Sequence, residues 1–193
     1  MNYELFKMIH GMAGHNVFLD DFMVFCTSNA IYIFGLALLL IWVFGNEYYK
    51  KSAFYAGITG ILALCMNYLI TLIYYEPRPF VTHHVHTLIS HAADASFPSD
   101  HTTGAFAIAM LMWLRHRKLG VWMIVFALLT GFSRIWVGHH YPFDVLGSIV
   151  VATIIAIFIN KVNKLLDPLA HFSISIYHFL IRKKRTTTQS NFD

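Results

Sequence analysis

The sequence predicts an all-α, polytopic membrane helix bundle with five to six transmembrane helices and interfacial helices at the N- and C-terminal ends. Three observations predict it. Hydrophobic residues fill 57% of the 193 positions and charged residues only 12%, a balance outside that of soluble domains; the mean hydropathy is +0.56. The apolar residues gather in stretches close to the length that crosses a hydrocarbon core. Lysine and arginine gather in alternate gaps between those stretches, as cytoplasmic loops require.

Five stretches qualify in chain order: 22–44, 53–75, 102–114, 119–137 and 143–159. The third reaches a useful length only if its helix starts at the Pro98-Ser99 cap and runs to the basic turn Arg115-His116-Arg117-Lys118. Before the first stretch, Leu5, Met8, Ile9 and Met12 form a stripe within residues 1–21; after the last, Leu165, Leu169, Phe172, Ile176 and Leu180 form another within 165–180. Both read as helices lying on the membrane. Residues 1–185 are expected to form a single membrane-embedded domain and 186–193 a polar cytoplasmic tail. Cys26 and Cys65 belong to no metal or redox pattern and are expected to be reduced core residues. No secretory cleavage pattern is visible, so the first spanning helix is expected to act as the insertion signal.

The net charge of +4 reports topology rather than nucleic-acid binding, because its excess sits in short basic runs between spans. Lys50-Lys51, Arg115 to Lys118, and the group Lys161, Lys164 and Arg182 to Arg185 alternate correctly with five spans and are all expected to be cytoplasmic. The loop 76–100 and the loop 133–142 then face outward. If the N-terminal stripe also crosses, the count becomes six and those loops stay outside.

The outward loops carry three polar clusters: Glu76-Pro77-Arg78-Pro79, Pro98-Ser99-Asp100-His101, and Ser133-Arg134 followed by His139-His140 and Asp144. Taken singly, each arginine reads equally well as a snorkelling side chain, and His83, His84, His86, His91, His116, His171 and His178 as ordinary interfacial residues. Spacing changes the reading. His140 and Asp144 are four apart at the start of the fifth span, so the carboxylate lies one turn below the imidazole, able to accept from Nδ1 and leave the other nitrogen nucleophilic. Pro142 suits a first helical turn. Ser99 suits the N-cap of the third span, whose free N–H groups and dipole make an anion site. Arg78 and Arg134 add guanidinium forks matched to phosphate oxygens, and His101 stands on the same turn. No acidic cluster suited to Mg²⁺ accompanies them, and neither a metal nor a cofactor is expected.

These blocks resemble the type 2 phosphatidic acid phosphatase superfamily, whose signature runs K-x6-R-P, P-S-G-H and S-R-x5-H-x3-D. The third block is complete as SRIWVGHHYPFD; the second reads PSDH, with Asp100 in place of glycine; the first keeps Arg78 and Pro79 but has Thr71 at the lysine position. YYEPRPF, HAADASFPSDHTTGA and GFSRIWVGHHYP are also similar to the small bacterial undecaprenyl-diphosphate phosphatases associated with bacitracin resistance. The resemblance implies that His140 attacks phosphorus and is oriented by Asp144, while His101 protonates the leaving oxygen and then activates water. It implies phosphate contacts from Arg78, Ser99, Arg134 and the backbone near Asp100, with Ser133 and Thr71 at signature positions. Two expectations concern the departures: His83, His84 or His86 supplies charge in place of the lysine, and Asp100 raises the pKa of His101.

The leading expectation is a multi-pass enzyme of the cell membrane that hydrolyses an isoprenoid diphosphate at the outer leaflet, with the bilayer as its surroundings, no nucleic-acid partner and no obligate protein partner. Phosphatidic acid or phosphatidylglycerophosphate are alternative substrates. Vanadium haloperoxidases share the anion cradle but are larger and soluble. A transporter subunit or immunity protein is the non-catalytic alternative, favoured by the polar Asn67 inside the second span.

Overall fold

The computed structural model describes residues 1–189, with side chains described up to Ile181. Among these the regular elements are helices: α1 (Asn2–His10), α2 (Val17–Phe44), α3 (Glu47–Ile73), α4 (Pro79–Thr82), α5 (Asp100–Arg115), α6 (Arg117–Trp136) and α7 (Pro142–Gln189). Four of them, α2, α3, α6 and α7, are long and apolar enough to cross a membrane. The remaining expected span is α5, only 16 residues long, which starts beside Ser99 and packs on α3, α6 and α7 at the centre of the bundle.

The interior is built from small residues. Ala56, Ala63, Ala107, Ala109, Ala127, Ala152 and Ala156 are fully buried, while Leu36, Leu39, Ile73, Trp122 and Ile154 point outward. In a bilayer, burying apolar surface gives no drive for association, so helices pack by close backbone approach. Gly120 is a case: a Cβ there would run into the Trp113 backbone, so the α5–α6 turn closes only with glycine at this position. The outward apolar shell is the surface such a bundle presents to lipid. Cys65 belongs to that shell and is exposed, against the expectation of two core cysteines; Cys26 is buried.

Helix ends follow their caps. The side-chain oxygens of Asn16 and Asn46 accept from Leu19 N and Tyr49 N and start α2 and α3. Lys50, expected as a cytoplasmic topology residue, is buried; its Nζ donates to the carbonyls of Trp42 (2.6 Å) and Gly45 (2.7 Å) and so closes the end of α2. Nearby, Arg115 Nε donates to Ser52 Oγ at 2.8 Å and Lys51 pairs with Asp167 at 3.4 Å. The basic loops therefore share one end of the bundle. The side chains of Arg182 to Arg185 lie outside the described residues, as do residues 190–193 of the expected tail.

Of the two expected interfacial helices, the C-terminal one differs from the sequence reading. The C-terminal stripe is no separate helix: α7 continues through Pro168 to Gln189. At the other end α1 covers only Asn2–His10, and residues 17–21 already belong to α2. The face of α1 that docks is centred on Phe6, which is 1% exposed against Ile135, Tyr141 and Val145, while Leu5, Met8 and Met12 point away from the protein. Asn2 Oδ1 accepts from Phe143 N (3.1 Å), His10 Nδ1 meets the Trp136 carbonyl (2.7 Å), and the Tyr3 ring stacks on His83 at 3.7 Å. Thus α1 straps the α6–α7 turn and the segment after α4 at the end opposite the basic loops.

Candidate active site

The strapped turn, residues 137–141, presents His140. Pro142 begins α7, so His140 precedes the helix and its ring geometry is set by the turn. Gly138, at φ +89, permits the reversal. The ring is 1% exposed. Its Nδ1 faces the Ser96 carbonyl at 2.8 Å and its Nε2 faces Arg78 Nη1 at 2.9 Å and Arg134 Nη2 at 3.5 Å. A carbonyl can only accept and a guanidinium can only donate, so Nδ1 carries the proton and Nε2 offers its lone pair. Burial first, then the charges of Arg134 and Arg78, hold this imidazole well below its usual pKa.

The expected His140–Asp144 hydrogen bond is replaced by a relay. Asp144 Oδ2 lies 3.5 Å from His140 Nδ1 and instead accepts from Tyr141 N (2.8 Å) and Ser96 Oγ. The carboxylate thus anchors the two segments that hold the ring: the turn through Tyr141 and the 96–99 segment through Ser96. Ser96 was missed by the motif reading although it stands three residues before Ser99; Ser148 was missed too. Its Oγ accepts from Ser99 N (2.8 Å) and donates to the Asp144 carbonyl (2.7 Å), tying the start of α5 to α7.

The arginines converge on the nucleophile candidate from different elements. Arg78 precedes α4 and donates from Nε to Asp94 (2.7 Å) and from Nη1 to the His139 carbonyl (3.1 Å). Arg134, in the last turn of α6, is 2% exposed and donates from Nη1 to Thr27 Oγ1 (2.8 Å). Two guanidiniums meeting at one lone pair mark where an anion's oxygens would sit.

Other expected residues are placed differently. Ser99 stands at the N-cap of α5 without a side-chain capping bond; its hydroxyl accepts from Thr102 Oγ1 at 3.1 Å, and both residues are fully buried. The Asp100 carboxylate accepts from Asn67 Nδ2 at 2.9 Å, so its hydrogen bond runs to α3 rather than to the neighbouring His101. That bond also accounts for the polar Asn67 inside a span. The Ser133 hydroxyl donates to the Thr130 carbonyl (2.7 Å) and so turns onto its own helix. Thr71 donates to the Tyr68 carbonyl, at the rim of the cavity described next. His83, His84 and His86 are absent from that cavity's lining.

A cavity of about 820 Å³ opens among α2, α3 and α5. Arg78, Asp94, Asp100, His101 and Thr71 form its polar end, and it continues past Leu64, Gly60, Gly57, Ile61, Ile31 and Phe34. Gly57 and Gly35 have nothing within reach of an added Cβ, so their lack of side chains widens the groove. The charged cradle meets this apolar channel at Arg78, which belongs to both, while His140 and Arg134 lie behind it, outside the lining.

Beside His140, His139 is fully buried; its Nε2 meets the Ile89 carbonyl at 2.9 Å and its Nδ1 has no partner. Burial, and next the Arg134 charge, lower its pKa to about 3. The ring regains a value near 6.5 in the unfolded chain, so below that pH the unfolded state binds a proton that the folded state refuses. Stability is therefore full above about pH 6.5 and declines as pH falls towards 3. At pH 5 this ring alone should cost about 2 kcal/mol, read as a falling Tm in detergent between pH 7 and pH 5. His139→Gln should flatten that slope, and an unchanged slope would refute the assignment.

The fold is that of a family of membrane phosphatases: a family model of the PAP2 superfamily matches residues 51–166, and the chain belongs to that superfamily. It is 58% identical over 193 residues, covering all of both chains, to undecaprenyl-diphosphatase BcrC of Bacillus subtilis (strain 168). It is 31% identical over 160 residues, 82% of this chain and 79% of the relative, to the bacitracin transport permease protein BcrC of Bacillus licheniformis. Among solved structures it is similar to LpxE of Aquifex aeolicus, with 26% identity and a TM-score of 0.65 over 82% of this chain and 94% of the other. The protein is thus a multi-pass membrane protein.

Proposed function

We propose that the protein is an undecaprenyl-diphosphate phosphatase, releasing inorganic phosphate and leaving the lipid monophosphate. The observation that carries the reading is His140: a buried, neutral ring whose Nε2 lone pair points at two guanidiniums. His140 Nε2 attacks the terminal phosphorus, the bond to the bridging oxygen breaks, and His101, at the polar end of the cavity, gives that oxygen a proton. His101 then takes a proton from water, which attacks the phosphohistidine and frees phosphate and the His140 ring. Positive charge that develops on the ring during attack is balanced by Asp144, 3.5 Å from Nδ1. Arg78, Arg134 and the first-turn N–H groups of α5 hold the equatorial oxygens, with positioning and charge supplying most of the rate. The apolar channel takes the first isoprene units, and the rest of the tail stays in lipid.

The charge of the basic loops supports a cradle at the outer leaflet and a C-terminus in the cytoplasm. There the reaction regenerates a lipid carrier of cell-wall synthesis and removes a target of bacitracin, so expression would confer resistance to it. The name of the Bacillus licheniformis relative favours a second reading, a transport component, but transport gives no use for a nucleophile candidate at this register. Purified protein in detergent with EDTA should release phosphate from a long-chain isoprenoid diphosphate faster than from phosphatidic acid. Faster release from phosphatidic acid would move the substrate assignment to glycerophospholipids, and no release from either would favour the non-catalytic reading.

A further inference from the structure

Arg78 is buried, and its partner is exposed. The side chains in this ion pair differ sharply in exposure, 6% for Arg78 and 61% for Asp94, across a distance of 2.7 Å. Arg78 Nη1 is committed to the His139 carbonyl and His140 Nε2, so Asp94 holds the Nε edge of the same guanidinium. That edge is where a phosphate oxygen would form the second tooth of a fork. Asp94 also lines the polar end of the cavity beside His101. The other acid there, Asp100, is held by Asn67 on α3, which leaves Asp94 as the acid seated on Arg78.

We propose that Asp94 is a resident counter-ion that occupies a phosphate-oxygen seat on Arg78 in the resting site, swings out when a lipid diphosphate enters, and returns as inorganic phosphate leaves. This rests on the phosphatase reading above. An anion must outcompete the carboxylate to use both edges of Arg78. A diphosphate brings extra anionic oxygens for Arg134 and the α5 N-terminus, whereas a monophosphate has fewer. Asp94 is thereby a specificity-determining residue: it disfavours retention of inorganic phosphate and rebinding of the lipid monophosphate product.

The test is competitive inhibition by inorganic phosphate, measured with Asp94→Asn, Asp94→Glu and Asp100→Asn. Losing a half-exposed charge pair should lower the phosphate Ki of Asp94→Asn about fivefold and narrow the preference for lipid diphosphate over lipid monophosphate. Asp94→Glu keeps the charge and should stay near the wild-type Ki, and Asp100→Asn should shift it less than Asp94→Asn. A loop-stabilising role alone would move Tm and leave Ki in place. A Ki that is unchanged or raised in Asp94→Asn overturns the proposal. Calorimetric titration with inorganic phosphate reads the same shift without turnover, so this proposal can fail or hold independently of whether the isoprenoid diphosphate is hydrolysed.

Discussion

Replacing His140 by alanine should reduce phosphate release by a factor on the order of 10⁴ or more, because it removes the proposed nucleophile. The ring's Nε2 sits 2.9 Å from Arg78 Nη1, so a truncated side chain leaves the guanidiniums without the base they face. A water molecule in that space would meet two cations and no base, a setting that favours anion binding and disfavours water activation. His140→Ala should therefore still bind inorganic phosphate while failing to turn over. Covalent chemistry gives a second readout. With substrate labelled at the terminal phosphorus, wild-type protein quenched in alkali should carry an alkali-stable, acid-labile label. His101→Ala should accumulate that label if the acid-base residue is needed chiefly for its hydrolysis, and His140→Ala should show none. Release retained in His140→Ala would remove the nucleophile from its assigned role.

What the sequence made legible follows from which constraints are local. Four long spans were readable because hydrocarbon thickness fixes their length, and α5 because its limits are set by Ser99 and the basic turn after Leu114. The grouping of Arg78, His101, Arg134, His140 and Asp144 at one end followed from alternating loop charge and motif order. The wiring among them was not legible. His140 and Asp144 were read at helical spacing, but Pro142 starts the helix after His140, so one-turn geometry does not apply and Ser96 fills the gap. Asn67 and Asp100 are 33 residues apart, and nothing in either neighbourhood announces the pair. The face by which α1 docks on the protein, centred on Phe6, was not legible, for a physical reason. A lipid-facing stripe and a protein-facing stripe are equally apolar, so periodicity alone could not choose Phe6 over Leu5, Met8 and Met12. The same ambiguity split the C-terminal stripe from α7, where Pro168 was no obstacle to a continuous helix.

The relay through Ser96 makes Asp144→Asn the most informative single change. Asparagine can keep the fold of the site: its carbonyl can accept from Tyr141 N and Ser96 Oγ as Asp144 Oδ2 does, and its amide would lie where Oδ1 is buried without a partner. The Ser96 carbonyl still accepts from His140 Nδ1 at 2.8 Å, so the tautomer is held by a group that the substitution does not touch. What disappears is the negative charge 3.5 Å from the ring. That charge matters little to a neutral imidazole and much to one that has just bonded phosphorus, so its loss should fall on kcat. A decrease on the order of 10³ in kcat with a nearly unchanged KM is expected. Asp144→Ala should lose at least as much activity and also destabilise the protein by roughly 2–3 kcal/mol, since two buried donors are left without an acceptor. If Asp144→Asn keeps wild-type kcat, the carboxylate is only a scaffold for the turn and the Ser96 carbonyl alone orients the nucleophile. If its KM rises instead, the charge acts on the resting cradle of Arg78 and Arg134 rather than on the phosphorylated ring.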